Sequence, residues 1–327
     1  MPPGEYVENS NERAADFRFA SWAVVRPYAF VVYGIALVLW TAAYGIPVQR
    51  ELVILWTCGA LACASIGRPP REILQLVLDW APIVAVLWLY DLTRGAADSM
   101  GIAVNVQPMI DFDRAVFFGE VPTEWLQDHL YEPGVVMWWD VFFTFVYTSY
   151  FIVPFALAGY FWARDRVAFQ GFTRRLVTLA LAGLATYILF PAMPPWLAAE
   201  TGALEEVHRT TGKGWEVISL GTAALFSKGQ ASSNLVAAVP SLHTAFVTLV
   251  AMFLWFRVRP VWRPLLAAYP LAMGLTLMAT GEHYFFDVVL GWIYAGAVMV
   301  GWTWWERRYW LAKPRRAADP AEVEPTA

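Results

Sequence analysis

Residues 281–305 read GEHYFFDVVLGWIYAGAVMVGWTWW. A histidine and an aspartate stand at the mouth of this stretch, and from Val288 to Trp305 no charge interrupts it. A run of this length matches a helix crossing the hydrocarbon of a bilayer, which takes about 20 residues. The rest of the chain repeats the pattern, with apolar runs at about 28–44, 51–66, 73–91, 136–162, 173–190, 242–258, 264–281 and 284–305. Hydrophobic residues make up 58% of the 327 and charged ones 15%, with a mean hydropathy of +0.46. A soluble globular chain carries about 25% charged residues. The 18 tryptophans suit aromatic belts at two bilayer interfaces. The sequence therefore predicts an all-α, polytopic membrane helix bundle of about eight transmembrane helices.

Residues 1–27 are polar and of mixed charge, and read as a cytoplasmic tail rather than a signal peptide. Two accessory transmembrane helices follow at 28–66. Residues 73–305 form the membrane core, with an outer loop at 191–241, and 306–327 are a second cytoplasmic tail. Residues 100–135 differ: Asp111, Asp113, Arg114, Glu120, Glu124 and Asp128 mix with Phe117, Phe118, Trp125 and Leu126. That mixture suits short helices lying in the interface. With the N-terminus inside, 17 of the 23 Lys and Arg fall on inner segments. Only Arg50, Arg94, Arg114, Arg209, Lys213 and Lys228 fall outside, on longer loops. The positive-inside rule then places both ends in the cytoplasm. No basic patch suggests nucleic acid. Cys58 and Cys63, five apart in one apolar run, are expected to be packed thiols, neither a disulfide nor metal ligands. The 20 Arg against 3 Lys, with many alanines, point to a high-GC bacterium and hence its plasma membrane. The oligomeric state is not legible.

In this orientation His243, in VPSLHTAF (239–246), and His283 lie at the same outer face, although 40 residues separate them. The segment PAMPPW (191–196) and the 191–241 loop share that face, and a connection this long is often functional. His283 and Asp287 are four apart, a spacing that stacks them on one helix face. A carboxylate one turn away accepts a ring N–H, fixes the tautomer and makes the imidazole a better nucleophile. An aspartate inside an apolar run is costly unless paired. Pro240 suits the first turn of a helix, where no N–H is needed. The N–H groups that follow, through Leu242 and His243, can hold a phosphate, and Ser241 adds a hydroxyl. His243 is placed to protonate a leaving oxygen.

These residues resemble the signature motifs of the type 2 phosphatidic acid phosphatase superfamily. VPSLH is similar to its P-S-G-H, and GEHYFFD to the end of S-R-x-x-x-x-x-H-x-x-x-D. The resemblance covers roughly 136–305. It implies a six-helix phosphatase-like core behind two extra spans, so the core at 73–305 becomes a catalytic one. It implies phosphoryl transfer without metal or other cofactor, with His283 as nucleophile, Asp287 as its partner and His243 as general acid. The family's first motif carries a Lys and an Arg where this chain reads LFPAMPPW (189–196), and Thr276 and Leu277 replace the Ser and Arg of the third. In this the chain looks closer to the subgroup that includes inositol phosphorylceramide synthase. The implied activity is an inositolphosphotransferase-like lipid phosphotransferase. It would cleave a lipid phosphate ester at the outer face and pass the phospho-group to an alcohol. Hydrolysis to water, as a lipid phosphate phosphatase, stays open. The partners are a lipid phosphate or phospholipid and a lipid alcohol acceptor.

The missing positive charge must come from elsewhere, with Arg209, Lys213 and Lys228 of the outer loop as candidates. Trp196 and Asn234 join Pro240, Ser241, Leu242 and Arg209 on the substrate side, although Asn234 equally suits a turn or cap. His208 reads as a solvated loop residue and His129 as structural. Asp111 and Asp113 read as a solvated interfacial face rather than head-group ligands, and Glu282 as pointing away from His283. The alternative of another class is a proton-coupled membrane transporter using His243, His283 and Asp287 as a relay. Relay carboxylates usually lie near mid-membrane, whereas these groups gather at span ends.

Overall fold

A computed structural model of the chain describes residues 22, 24–44, 50–92, 102–217 and 234–310. Among them are eleven α-helices and no strand beyond isolated bridges. They are α1 (Arg26–Tyr44), α2 (Arg50–Ser65), α3 (Pro70–Leu92), α4 (Gln107–Val116), α5 (Pro122–Leu130) and α6 (Trp138–Arg164). There follow α7 (Arg166–Leu189), α8 (Pro195–Glu200), α9 (Leu242–Leu254), α10 (Arg263–Ala279) and α11 (Phe285–Trp310).

Each of the eight apolar runs is a helix, with shifted ends. The helix expected from 173 begins at Arg166, because Asp165 caps α7 by accepting the Ala168 N–H at 3.0 Å. The C-terminal tail expected from 306 starts later, because α11 continues to Trp310. Its Glu306 holds Arg174 at 3.1 Å and Arg175 at 2.7 Å, both on α7. The rest of that tail, nearly all of 1–27, Arg94 and Lys228 lie outside the described residues. Among the described residues, four helices are long and apolar enough to cross a membrane, namely α3, α6, α7 and α11. Helices α1, α2 and α9 contain shorter apolar segments, and α10 has 17 residues. The 13 residues of α9 rise only about 20 Å, against a hydrocarbon core of about 30 Å.

Helix α9 is the hub and packs against α6, α7, α10 and α11. Its Ala245, Phe246, Leu249 and Phe253 join Phe172 and Leu179 of α7 and Ala295 of α11 in the main core. The close approach of α9 to α11 requires Gly291, where an added Cβ would meet the Ser241 carbonyl oxygen at 2.6 Å and the Thr244 hydroxyl. Outward faces remain apolar: Leu78, Ile293 and Val300 are 62, 56 and 66% exposed. Water would penalise such surface by about 25 cal/mol per Å²; hydrocarbon does not. The chain is a helical membrane protein.

A cap closes one end of the bundle. Met109 and Ile110 of α4 pack with Val121, Ala192, Ala198, Val239 and Tyr284 in a second core. Parallel bridges tie Asn105 to Ala192 and Ala192 to Ala237. The short helices expected in 100–135 are α4 and α5, which pack against α11 and α10.

Candidate active site

The site begins where α10 ends. Gly281 has φ +76°, a left-handed backbone open to glycine and strained for other residues. It lets its own N–H reach the Met278 carbonyl at 3.1 Å and the Glu282 N–H reach that of Leu277 at 2.9 Å, the paired bonds of a Schellman C-cap. The chain then turns directly into His283. His283 therefore precedes α11 by two residues, and the expected stacking with Asp287 on one helix face is not how the two meet. Asp287, in the first turn, reaches back: its Oδ2 lies 3.1 Å from His283 Nδ1 and accepts the Tyr284 N–H at 3.0 Å. Both side chains are buried. A carboxylate at Nδ1 favours the proton there and leaves the lone pair on Nε2.

The second histidine sits one residue inside α9. Pro240 is not in the first turn of that helix, as expected, but ahead of its cap, and its carbonyl accepts the Tyr187 hydroxyl at 3.0 Å. Ser241 is the N-cap, its Oγ accepting the Thr244 N–H at 3.3 Å. Its N–H donates to the Asp287 carbonyl at 3.1 Å, so Asp287 touches both histidine-bearing segments. The expected cradle of free N–H groups is thus reduced. That of Ser241 is used, and that of Leu242 lies beside the Tyr187 hydroxyl. The His243 N–H has no partner among the described residues. The His243 ring lies 5.7 Å from that of His283, centroid to centroid. Tyr150 at 4.2 Å and Tyr147 at 4.9 Å, both on α6, lie nearest to it. Their three-residue spacing puts them on one helix face, a signal the sequence carried and the motif search passed over.

Asp113 corrects the expectation of a solvated face. Asp111 is exposed and accepts from Gln107 at 2.7 Å, but Asp113 is fully buried. Its two oxygens accept the N–H groups of Phe285 and Phe286, each at 2.9 Å. The first N–H groups of a helix lack internal partners, and here a carboxylate from α4 supplies them. The Asp113 carboxyl is pushed up to about 7: burial raises it most, the two N–H groups pull against that, and the Asp287 charge adds a smaller rise. The folded carboxyl thus titrates above the unfolded one, near 4. Its stabilising contribution is full below about pH 4 and is lost as pH rises through 7. Asp113→Ala is expected to lower the melting temperature and to reduce turnover, since it loosens the turn holding Asp287 against His283. Caps of this kind contribute about 0.5–2 kcal/mol. Asp113→Asn, which keeps one acceptor, should recover part of the turnover and flatten the pH dependence of melting between 4 and 7. Wild-type turnover in Asp113→Ala would make the contact idle.

The outer loop brings in the cation. Glu282, expected to point away, is buried and accepts Arg209 Nε at 2.7 Å, Arg209 Nη2 at 3.1 Å and the Thr211 hydroxyl at 3.0 Å. The Arg209 guanidinium lies over the Trp196 ring at 5.1 Å, and the Trp196 N–H bonds the Gly281 carbonyl at 3.1 Å. Arg209 and Trp196 are therefore anchored to the two residues preceding His283. Lys213 is held by Asp140 at 3.2 Å and bonds the Glu132 carbonyl at 2.8 Å. Asn234 takes the turn role, its Oδ1 accepting the Val236 N–H at 3.2 Å. His208 is half-buried against Tyr131, with Glu206 at 3.2 Å, rather than fully solvated. His129 bonds the Trp125 carbonyl and stacks on that ring. Cys58 and Cys63 are free thiols.

Fold and site together define a polytopic helical membrane protein in which two histidines and a carboxylate converge at one end of the bundle. Residues 107–301 match the family model described as PAP2 superfamily, and the chain belongs to that superfamily. The match starts before α6 and takes in α4 with Asp113. The chain is 30% identical over 298 residues to the phosphoinositol dihydroceramide synthase of Bacteroides thetaiotaomicron, a span covering 87% of this chain and 92% of that protein. No solved structure matches. Family and relative together support a membrane enzyme acting on lipid phosphate.

Proposed function

We propose that the chain transfers a phospho-head-group from a phospholipid to a lipid alcohol through a covalent intermediate on His283. The observation behind this is the pairing of His283 with Asp287 at 3.1 Å, with the His243 ring 5.7 Å away. In the first step the Nε2 lone pair of His283 attacks phosphorus and the bond to the leaving lipid oxygen breaks. His243, as imidazolium, gives that oxygen its proton. In the second step the acceptor alcohol attacks phosphorus, its proton passes to His243, and the P–N bond breaks. Asp287 holds the ring and stabilises the cationic form of His283. Neither step requires a metal ion.

A phosphodiester donor fits better than a monoester. Arg209 already shares its charge with Glu282, and Lys213 with Asp140. A singly charged diester can be held by one shared guanidinium and the His243 N–H, whereas a dianion calls for several cations. By analogy with the named relative, the transferred group is phosphoinositol and the acceptor a ceramide-like alcohol, and phosphatidylinositol is the phosphodiester donor to test with it. Purified protein given both should form the phosphoinositol transfer product. With phosphatidic acid it should release inorganic phosphate at least about tenfold more slowly. Fast phosphate release, with no transfer product from the diester, would make the chain a phosphatase instead.

The proposed orientation puts the histidines outside and both chain ends inside. In a chain lacking Cys58 and Cys63, Glu206→Cys should react with a membrane-impermeant maleimide in intact cells and Gln170→Cys should not. The reverse labelling would place the site in the cytoplasm.

A further inference from the structure

A second polar site lies at the other end of the bundle. A cavity of about 500 Å³ opens between the α2–α3 turn and the α6–α7 junction, lined by Arg68, Glu72, Asp79, Trp162, Arg164 and Arg166 among others. From Tyr150, which touches His243, to Arg164 is 14 residues along α6, or about 21 Å, so this cavity is separate from the histidine site.

Its walls are ordered by mutual contacts. Asp79 pairs with Arg166 and accepts the Trp162 indole N–H at 3.2 Å. The guanidinium groups of Arg68 and Arg166 lie over the Trp162 ring at 5.0 and 5.4 Å. Arg68 donates to the Ala64 carbonyl at 2.8 Å and to Glu72 at 3.2 Å. Arg164 is exposed and makes no hydrogen bond or ion pair with any described residue. Three guanidiniums thus face two carboxylates, leaving one net positive charge at the cavity.

We propose that this cavity binds the head-group of an anionic phospholipid as a site distinct from the reaction centre. A singly charged phosphodiester balances the net charge, and Arg164 has donors to offer it. The acyl chains have a track beside it. On α3, Leu74, Val77 and Leu78 are exposed next to Glu72 and Asp79, and Tyr160 is exposed one turn before Arg164. That apolar continuation selects a lipid over a free phosphate ion. Basic pockets between helices at one membrane face bind anionic head-groups in the same manner.

The test uses the full-length chain in detergent, observed by native mass spectrometry with phosphatidylglycerol or phosphatidylcholine added. The wild type should retain one phosphatidylglycerol in preference to phosphatidylcholine. Arg164→Gln should weaken that retention by about fivefold, and Arg68→Gln with Arg164→Gln by more than tenfold, at about fivefold per guanidinium. Millimolar inorganic phosphate should not displace the lipid. The Arg164→Gln chain, altered only at an exposed side chain, should keep wild-type turnover. Equal retention of the two lipids by the wild type, unchanged retention by Arg164→Gln, or displacement by phosphate would each overturn the proposal.

Discussion

His283→Ala is expected to abolish transfer, by about 10³-fold or more in initial rate, and His243→Ala to do the same. In the proposed mechanism the two residues serve one reaction in sequence. Without the His283 ring there is no P–N bond to form; without His243 the leaving lipid oxygen must depart as an alkoxide. Groups that act as a unit lose rate non-additively, so the double variant should be little worse than the poorer single one. Asp287→Asn should also be severe, at about 10⁴-fold, because an amide in place of the carboxylate can hold the wrong tautomer. A donor with a good leaving group separates the roles. A nitrophenyl phosphodiester should release nitrophenolate from His243→Ala in a first turnover at a rate near wild type, since its leaving oxygen needs no proton, but not from His283→Ala. Labelled phosphorus should then stay on the His243→Ala chain when acceptor is withheld. Full transfer by His283→Ala would end the covalent mechanism, and melting curves close to wild type would show that the losses are chemical.

The helices and the two histidines were legible in the sequence because their signals are local. A run such as 284–305 needs no partner to announce a helix, and H-x-x-x-D and P-S-x-H are short spacings. What escaped was set by contacts between distant segments. Asp113 looked solvated because its neighbours Asp111 and Arg114 are polar. Its burial is decided by the start of α11, 172 residues away. Glu282 was judged by the helix it seemed to join, whereas the Schellman turn at Gly281 takes it out of that helix and toward Arg209. The same turn explains why His283 and Asp287 meet without sharing a helix. The phosphate cradle was overestimated because the sequence shows which N–H groups a helix start leaves open, not which neighbours claim them. Ser241 gives its donor to Asp287.

Arg209→Gln is the second large effect, expected at about 10²–10³-fold in transfer rate, the loss seen when one charge-stabilising donor is removed from a transition state. The Lys and Arg of the first motif and the Arg of the third, which the resemblance implies as phosphate ligands, have no counterpart in 189–196 or at Leu277. On the proposed mechanism, Arg209 carries the share that those cations would divide. Its placement is fixed by Glu282, whose main chain runs directly into His283. The partner makes a sharper test than the arginine alone. If Glu282 served only to hold the loop, Glu282→Gln would lower all rates together. If instead it tunes the charge offered to phosphate, removing its negative charge leaves the full guanidinium charge for the substrate, and a dianionic donor gains more than a monoanionic one. The rate on phosphatidic acid relative to phosphatidylinositol should then rise by about tenfold in Glu282→Gln, even if both absolute rates fall. Arg209→Lys should restore little, because a single ammonium cannot keep two bonds to Glu282 and still stack on Trp196. An unchanged ratio in Glu282→Gln would reduce the pair to a structural tie. Wild-type transfer by Arg209→Gln would mean that the phosphate is held by groups other than these.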